Sequence, residues 1–203
     1  MRAKAEPKGM IFVISGPSGS GKTTLLERLL KEAGLRRLLR KSISFTTRPK
    51  RSGERQGRDY VFLARDDFRR ALKAKKILEW TNFLGYYYAT PRDFVEGQIK
   101  KGGNIVLCLD LAGARKIKRL YPRNTATIFI VPPSLETLRR RIAQRCHRTK
   151  KEEVSRRLEL ARAELRASRE YDFTVVNKNL HQAVKELRGI MLNALSQHRC
   201  TQI

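Results

Sequence analysis

The sequence predicts an α/β chain of the phosphate-loop type: a parallel sheet flanked by helices, with a smaller lobe inserted and a short lid. Three observations lead there. Short apolar runs without polar alternation, the pattern of strands covered on both faces, alternate with stretches of helical periodicity, and parallel strands need such crossovers. The first apolar run leads straight into "GPSGSGKTTL" at residues 16–25, a glycine-rich loop closed by a lysine. The rhythm breaks over residues 47–92, where tyrosines, glycines and charges surround shorter strand-like pieces.

The elements follow in order. "MIFVIS" (10–15) is a buried strand, and a helix is expected from about residue 23 to 32 behind the loop. "SIS" (42–44) opens the second expected strand. "YVFL", "ILEW" and "YYYA" are strand pieces of the inserted lobe. "NIVLCLD" (104–110) is a buried strand, followed by a helix over "LAGARKIKRL". "TATIFIV" (125–131) is another strand, and "PPSLETLRRRIAQR" starts a helix. "TKKE" (149–152) fits a capping box, with Val154, Leu158, Ala161 and Leu165 at helical spacing behind it. "YDFTVVN" (171–177) is the last strand, and "LHQAVKELRGIMLNAL" the last amphipathic helix. The expected domain spans 9–195, with a core of 9–46 and 93–195, a lobe of 47–92, a lid at 145–157, and tails at 1–8 and 196–203.

Composition narrows the function. Of 203 residues 40% are hydrophobic, enough for a real core. No run approaches the ~18 apolar residues of a membrane span. "MRAKAEPKGM" lacks the apolar stretch of a signal peptide, so a cytoplasmic location without membrane association is expected. Cys108, Cys146 and Cys200 are scattered and odd in number, which is no disulfide framework, and Cys146-His147 alone makes no metal site. Lys and Arg number 45 against 19 acids, for a net charge of +26. That field attracts polyanions, but the basic residues are spread and few aromatics interleave. A solvated basic surface with weak, nonspecific, salt-sensitive RNA binding is the reading.

The loop itself carries chemistry. Gly16, Gly21, Lys22 and Thr23 satisfy G-x-x-x-x-G-K-[ST] between an apolar strand and a helix, the context this motif requires. Successive N–H groups and the helix N-terminus attract phosphate. Lys22 supplies a full charge to the β- and γ-phosphates, and the Thr23 hydroxyl can ligate Mg²⁺. A nucleoside triphosphate is expected on Gly16, Pro17, Ser18, Gly19, Ser20, Gly21, Lys22, Thr23 and Thr24.

The inserted lobe offers a second site. In "SFTTRPKRSGERQGRDYVF", Arg48 and Arg51 with Tyr60 beyond them suit another phosphate. In "LEWTNFLGYYYATP", Glu79 and Thr90 suit guanine. A carboxylate accepts guanine N1–H and N2–H together and repels the acceptor at adenine N1, while a hydroxyl satisfies O6.

With these residues in order, the chain resembles the guanylate kinases, from about residue 9 to 195. That family transfers the γ-phosphoryl of ATP to GMP or dGMP with Mg²⁺. The resemblance implies Ser44, Glu79, Thr90 and Asp110 around the base, and Arg48, Arg51, Tyr60 and Tyr88 on the GMP phosphate, with Glu54 ordering the arginines. It makes "RRRIAQRCHRTKKEEVSRRLEL" the lid, with Arg145 and Arg157 as transition-state contacts, Arg141 in support and Arg156 as the alternate register. With Lys22 and Arg51, Arg145 and Arg157 form the expected catalytic set. Asp110 is open to a metal-bound water, the guanine amino group or both, and a helix cap is compatible with either. The chain departs from the family at Cys108, where an acid is usual, at Ala112, where glutamine is usual, and at Lys178, which follows the adenine-contacting Asn177. Three rivals remain: a non-catalytic binding module, against which Lys22 and Thr23 stand, a kinase of another small phosphate ester, against which Glu79 and Thr90 stand, and an RNA-associated protein, suggested only by the charge.

Overall fold

The computed structural model describes residues 9–144 and 151–201. The elements in order are β1 (Ile11–Ser15), α1 (Lys22–Leu29), α2 (Ala33–Leu38), β2 (Leu39–Lys41), β3 (Phe45–Thr46) and β4 (Val61–Phe62). Then come α3 (Arg65–Lys73), β5 (Ile77–Phe83), β6 (Tyr86–Pro91), α4 (Arg92–Lys100), β7 (Asn104–Cys108) and α5 (Leu111–Leu120). The chain ends with β8 (Thr125–Val131), α6 (Leu135–Gln144), α7 (Lys151–Arg166), β9 (Phe173–Val176) and α8 (Leu180–Thr201). One sheet has the order β2-β7-β1-β8-β9, and a second has the order β4-β3-β6-β5. In the first, β2 with β7 and β8 with β9 are parallel, as the alternating pattern predicts. All five residues of β1 are buried, which is why the run shows no polar alternation.

The chain divides into two compact units, one of Met1–Ile11 with Leu39–Thr125, the other of Phe12–Leu38 with Ala126–Ile203. The inserted segment lies wholly in the first. There the four-stranded sheet has two distinct faces. Phe68 and Ala71 of α3 pack with Phe45, Ile77, Tyr87 and Ala89 on one, where Phe68 stacks on Tyr87 at 5.0 Å. Directly opposed residues share a face, so the pairs Glu79–Thr90, Thr81–Tyr88 and Thr46–Tyr88 belong to the other. Strict alternation would put Ile77 and Glu79 on the same face. The register instead slips between them, leaving two β5 residues against one of β6, so Ile77 joins the α3 core and Glu79 does not.

In the second unit, α6 and α7 join through Leu138, Ile142 and Ala161, with Val154 and Leu158 packed against them, at the spacing expected for α7. Helix α8 buries Ala183, Leu187, Met191 and Leu195 at four-residue intervals.

The structure corrects several boundaries. The second strand is Leu39–Lys41 rather than one opening at Ser42; only Leu39 of it is buried, and the arginines around it disguise the strand. Helix α1 ends at Leu29, short of 32, and α8 continues to Thr201, beyond the expected end at 195. Helices α2, α3 and α4 were not anticipated. α3 is "RDDFRRALK" with only Phe68 buried, so its periodicity rests on one large side chain. Thr149, the expected cap of α7, lies outside the described residues.

Candidate functional site

The sequence-predicted residues fall into two clusters, one in each unit. In the second unit the phosphate loop follows β1. Gly21 is the N-cap of α1 and provides no side-chain cap, so the first-turn N–H groups of the helix remain for a ligand. The Lys22 ammonium donates to the carbonyls of Gly16 and Pro17, the latter at 3.0 Å, which holds the charge over the loop. Gly16 has φ 139°, and a Cβ there would stand 2.4 Å from the Ile130 carbonyl oxygen. Only glycine fits both the backbone and the space. Thr23 and Thr24 are exposed in the first turn of α1. Pro17, Ser18, Gly19 and Ser20 form the loop between, and Ser20 is fully buried.

From α6, Arg141 donates through Nη1 to the Gly19 carbonyl at 3.3 Å, so its supporting place is at the loop backbone. In α7, Arg157 is 8% exposed whereas Arg156 is exposed, which separates the two alternative registers by orientation. Arg145 lies outside the described residues.

In the first unit, Arg48 is the centre of the anion cluster. Its Nη2 donates to both Glu54 carboxylate oxygens at 2.7 and 3.0 Å, and Nη1 donates to the Pro49 carbonyl at 2.7 Å. Burial alone would lower its pKa, but the Glu54 bond and the neighbouring Tyr88 outweigh it and raise it. Glu54 shows the reciprocal effect: burial pushes it up, and the hydrogen bonds from Arg48 and the Arg51 N–H bring it below the ordinary carboxylate range. Glu54 therefore orders Arg48 by its side chain and Arg51 by its backbone. The guanidinium of Arg48 lies over the rings of Tyr60 and Phe62, 5.5 and 5.8 Å from their centroids. Tyr60 meets Tyr88 edge to face at 5.9 Å. Burial, reinforced by Tyr88 and Cys108, pushes the Tyr60 hydroxyl up to about 12, so it stays a donor.

The pair expected to read the base is in the same unit. Glu79 and Thr90 are opposite each other on β5 and β6, 3% and 1% exposed, and Thr90 Oγ1 donates to Glu79 Oε1 at 2.5 Å. Burial is the main reason that Glu79 is raised to about 7, with a smaller contribution from Asp110. The single Thr90 proton is spent on Glu79 in this arrangement, so Thr90 orients the carboxylate. Asp110 is the N-cap of α5, its Oδ1 accepting the Gly113 N–H at 2.8 Å. Ser44 precedes β3, and its carbonyl accepts the Val61 N–H at 2.9 Å, a backbone pairing with β4.

Sequence reasoning missed Gly113. A Cβ there would meet Glu79 Oε2 at 2.9 Å and Asp110 Oδ1 at 3.3 Å, so the two carboxylates converge on a space that only glycine leaves open. The available signal was a glycine in the first turn of a helix, where it is less favourable than alanine by ~1 kcal/mol. Thr46 and Phe62 were also missed. Thr46 Oγ1 accepts the Arg48 N–H at 3.1 Å and donates to the Tyr87 carbonyl at 3.0 Å, which fixes the start of the anion segment.

Comparisons with known proteins place the chain in a family. The family model described as guanylate kinase matches residues 8–194. A guanylate kinase of Symbiobacterium thermophilum is 42% identical over 187 residues, covering 92% of this chain and 86% of the relative. One of Thermotoga maritima is 43% identical over 185 residues, covering 91% and 86%. The crystal structure of guanylate kinase from Anaplasma phagocytophilum superposes with a TM-score of 0.76 at 31% identity, covering 93% of this chain and 87% of that one.

Proposed function

The chain belongs to the guanylate kinase family, and from that premise we propose that it transfers the γ-phosphoryl of ATP to GMP or dGMP, giving ADP and GDP or dGDP. It is an enzyme, a nucleotide-binding phosphotransferase. The observation that carries the substrate reading is the buried Glu79 carboxylate held by Thr90. Ionised Glu79 accepts both guanine N1–H and N2–H. An adenine there would leave buried polar groups unpaired, which costs far more than a lost contact between exposed groups.

Arg48, Arg51, Tyr60 and Tyr88 bind the GMP phosphate. Arg48 arrives pre-oriented by Glu54, so less ordering remains when the phosphate enters. The loop N–H groups and Lys22 hold the ATP β- and γ-phosphates, while the exposed first turn of α1 offers Thr23. Asn177 and Thr24 complete the expected ATP set. Phosphoryl transfer needs alignment and charge neutralisation more than a strong base, and Lys22, Arg51, Arg157 and Arg145 supply the positive charge.

Mg²⁺ fits the residues present. No group of three or more metal-ligating side chains occurs among the described residues. The exposed Thr23 hydroxyl in the first turn of α1 suits an ion carried largely by nucleotide phosphates and water, which is the habit of Mg²⁺. Thr23 would hold it directly, and the ion would neutralise phosphate charge. Among the described residues no helix is long and apolar enough to cross a membrane. A cytoplasmic place in purine nucleotide metabolism follows from the activity proposed.

The test is an ADP-release assay with ATP, Mg²⁺ and each of GMP, AMP, CMP and UMP. Turnover confined to GMP supports the proposal. Turnover with another monophosphate sinks the base assignment, and none at all from protein that binds ATP returns the binding-module reading.

A further inference from the structure

The Asn177 side chain lies 5% exposed immediately after β9, and its Nδ2 donates to the Ser20 carbonyl at 2.7 Å. Its backbone N–H donates to the Val131 carbonyl at 2.8 Å, so the residue is anchored to the end of β8 as well. The same Nδ2 stands 2.3 Å from where a Cβ on Gly21 would be, and Gly21 has φ 95°. The amide thus occupies the volume that the glycine leaves, directly beneath the residue that starts α1. Ser20 is fully buried, and its hydroxyl has no hydrogen-bond partner among the described residues. The side chain of Asn177 is therefore what ties the Ser20 peptide to the sheet.

We infer that Asn177 is a positioning residue that holds the Ser20–Gly21 peptide, and with it the polyphosphate-binding curve of the loop, rather than a reader of the adenine base. The inference rests on the assignment of residues 16–24 to triphosphate binding. Its physical content is simple. A buried carbonyl deprived of its donor is expensive, and the loop escapes that cost by turning the peptide. The N–H groups then no longer converge on phosphate. The effect belongs to the phosphates and is indifferent to the base.

Inorganic tripolyphosphate separates the two roles, because it carries the charges and no base. Calorimetry of the full chain with Mg²⁺-tripolyphosphate, ATP and GMP, before and after Asn177→Ala, is the experiment. Tripolyphosphate and ATP should weaken by the same factor, about ten- to a hundredfold, with GMP unchanged. ATP weakened with tripolyphosphate unaffected would make Asn177 a base contact and overturn the inference, as would unchanged binding of both. GMP binding reports that the variant is folded. Should the variant not fold, the wild-type protein decides by nuclear magnetic resonance. The Asn177 side-chain amide should shift with tripolyphosphate and not with adenosine; the reverse overturns the inference. Wild-type protein that ignores tripolyphosphate altogether would show that the loop assignment itself had failed.

Discussion

Thr90 Oγ1 donates to Glu79 Oε1 at 2.5 Å between two side chains no more than 3% exposed. This one bond joins neighbouring strands of the inserted lobe, fixes the orientation of the carboxylate and leaves its other oxygen toward Asp110 and Gly113. Burial raises the Glu79 pKa to about 7, so its charge changes around neutral pH.

That value makes GMP use depend on pH. Guanine needs the ionised carboxylate, so GMP binding releases a proton below the Glu79 pKa of about 7. KM for GMP should rise about tenfold per pH unit as pH falls below that point, while ATP affinity stays level. A flat KM from about pH 6 to pH 8 would show that Glu79 does not accept from the base.

Glu79→Gln should trade activity for stability. The folded-state pKa lies above the ordinary value of 4.5, so the folded chain keeps a proton that the unfolded chain releases. Stability therefore falls as pH rises through that window, by about 3 kcal/mol at the most. Glutamine removes the charge and hence the loss. The variant should lose GMP turnover about a hundredfold or more, yet melt at a higher temperature than the parent at about pH 8. A lower melting point there would mean that the carboxylate is stabilising as an ion.

Gly113→Ala tests the steric argument. An added methyl meets Glu79 Oε2 at 2.9 Å and Asp110 Oδ1 at 3.3 Å, and both must move. Helix propensity favours the alanine by ~1 kcal/mol, which offsets part of any global destabilisation. The expected result is a KM for GMP raised about tenfold or more with KM for ATP unchanged. Equal effects on both substrates would place the fault in the fold at large.

Glu54→Gln breaks the bidentate bond to Arg48 while retaining the shape. Arg48 then has to be ordered by the GMP phosphate itself, so KM for GMP should rise about tenfold. The parent's Glu54 stabilises the fold above its unfolded pKa, and that contribution is lost as pH falls through its depressed folded value. The melting difference between parent and variant should shrink in acid. A constant difference would remove the ion pair as its source.

Lys22→Ala should lower kcat by orders of magnitude, since its ammonium is the charge placed at the loop. Near-normal turnover would refute the phosphate-loop assignment.

Much of this molecule was legible because its local chemistry is insistent. The loop from Gly16 to Thr23, the buried runs of β1, β7 and β8, and the period of α7 and α8 are short-range patterns. Each is set by the needs of backbone turning or of burying one face. Glu79, Thr90, Arg48 and Arg51 stand out in the sequence because their residue types match the chemistry of guanine and phosphate.

Other features depended on contacts across the chain. β2 is hidden among arginines and exists through its parallel pairing with β7. α3 rests on Phe68, whose partners Tyr87 and Ala89 lie two strands' lengths away in sequence. The register slip between Ile77 and Glu79 decides which face the base-reading carboxylate occupies, and a period-two pattern reads that backwards. Gly113 and Asn177 matter for what stands beside them, Glu79 in one case and Ser20 in the other. The sequence by itself determined the glycine-rich loop, the strands beside it and the residue types proposed to read the substrate. Only tertiary structure decided which groups face one another, because close packing, not local preference, selects the partner of a buried polar atom.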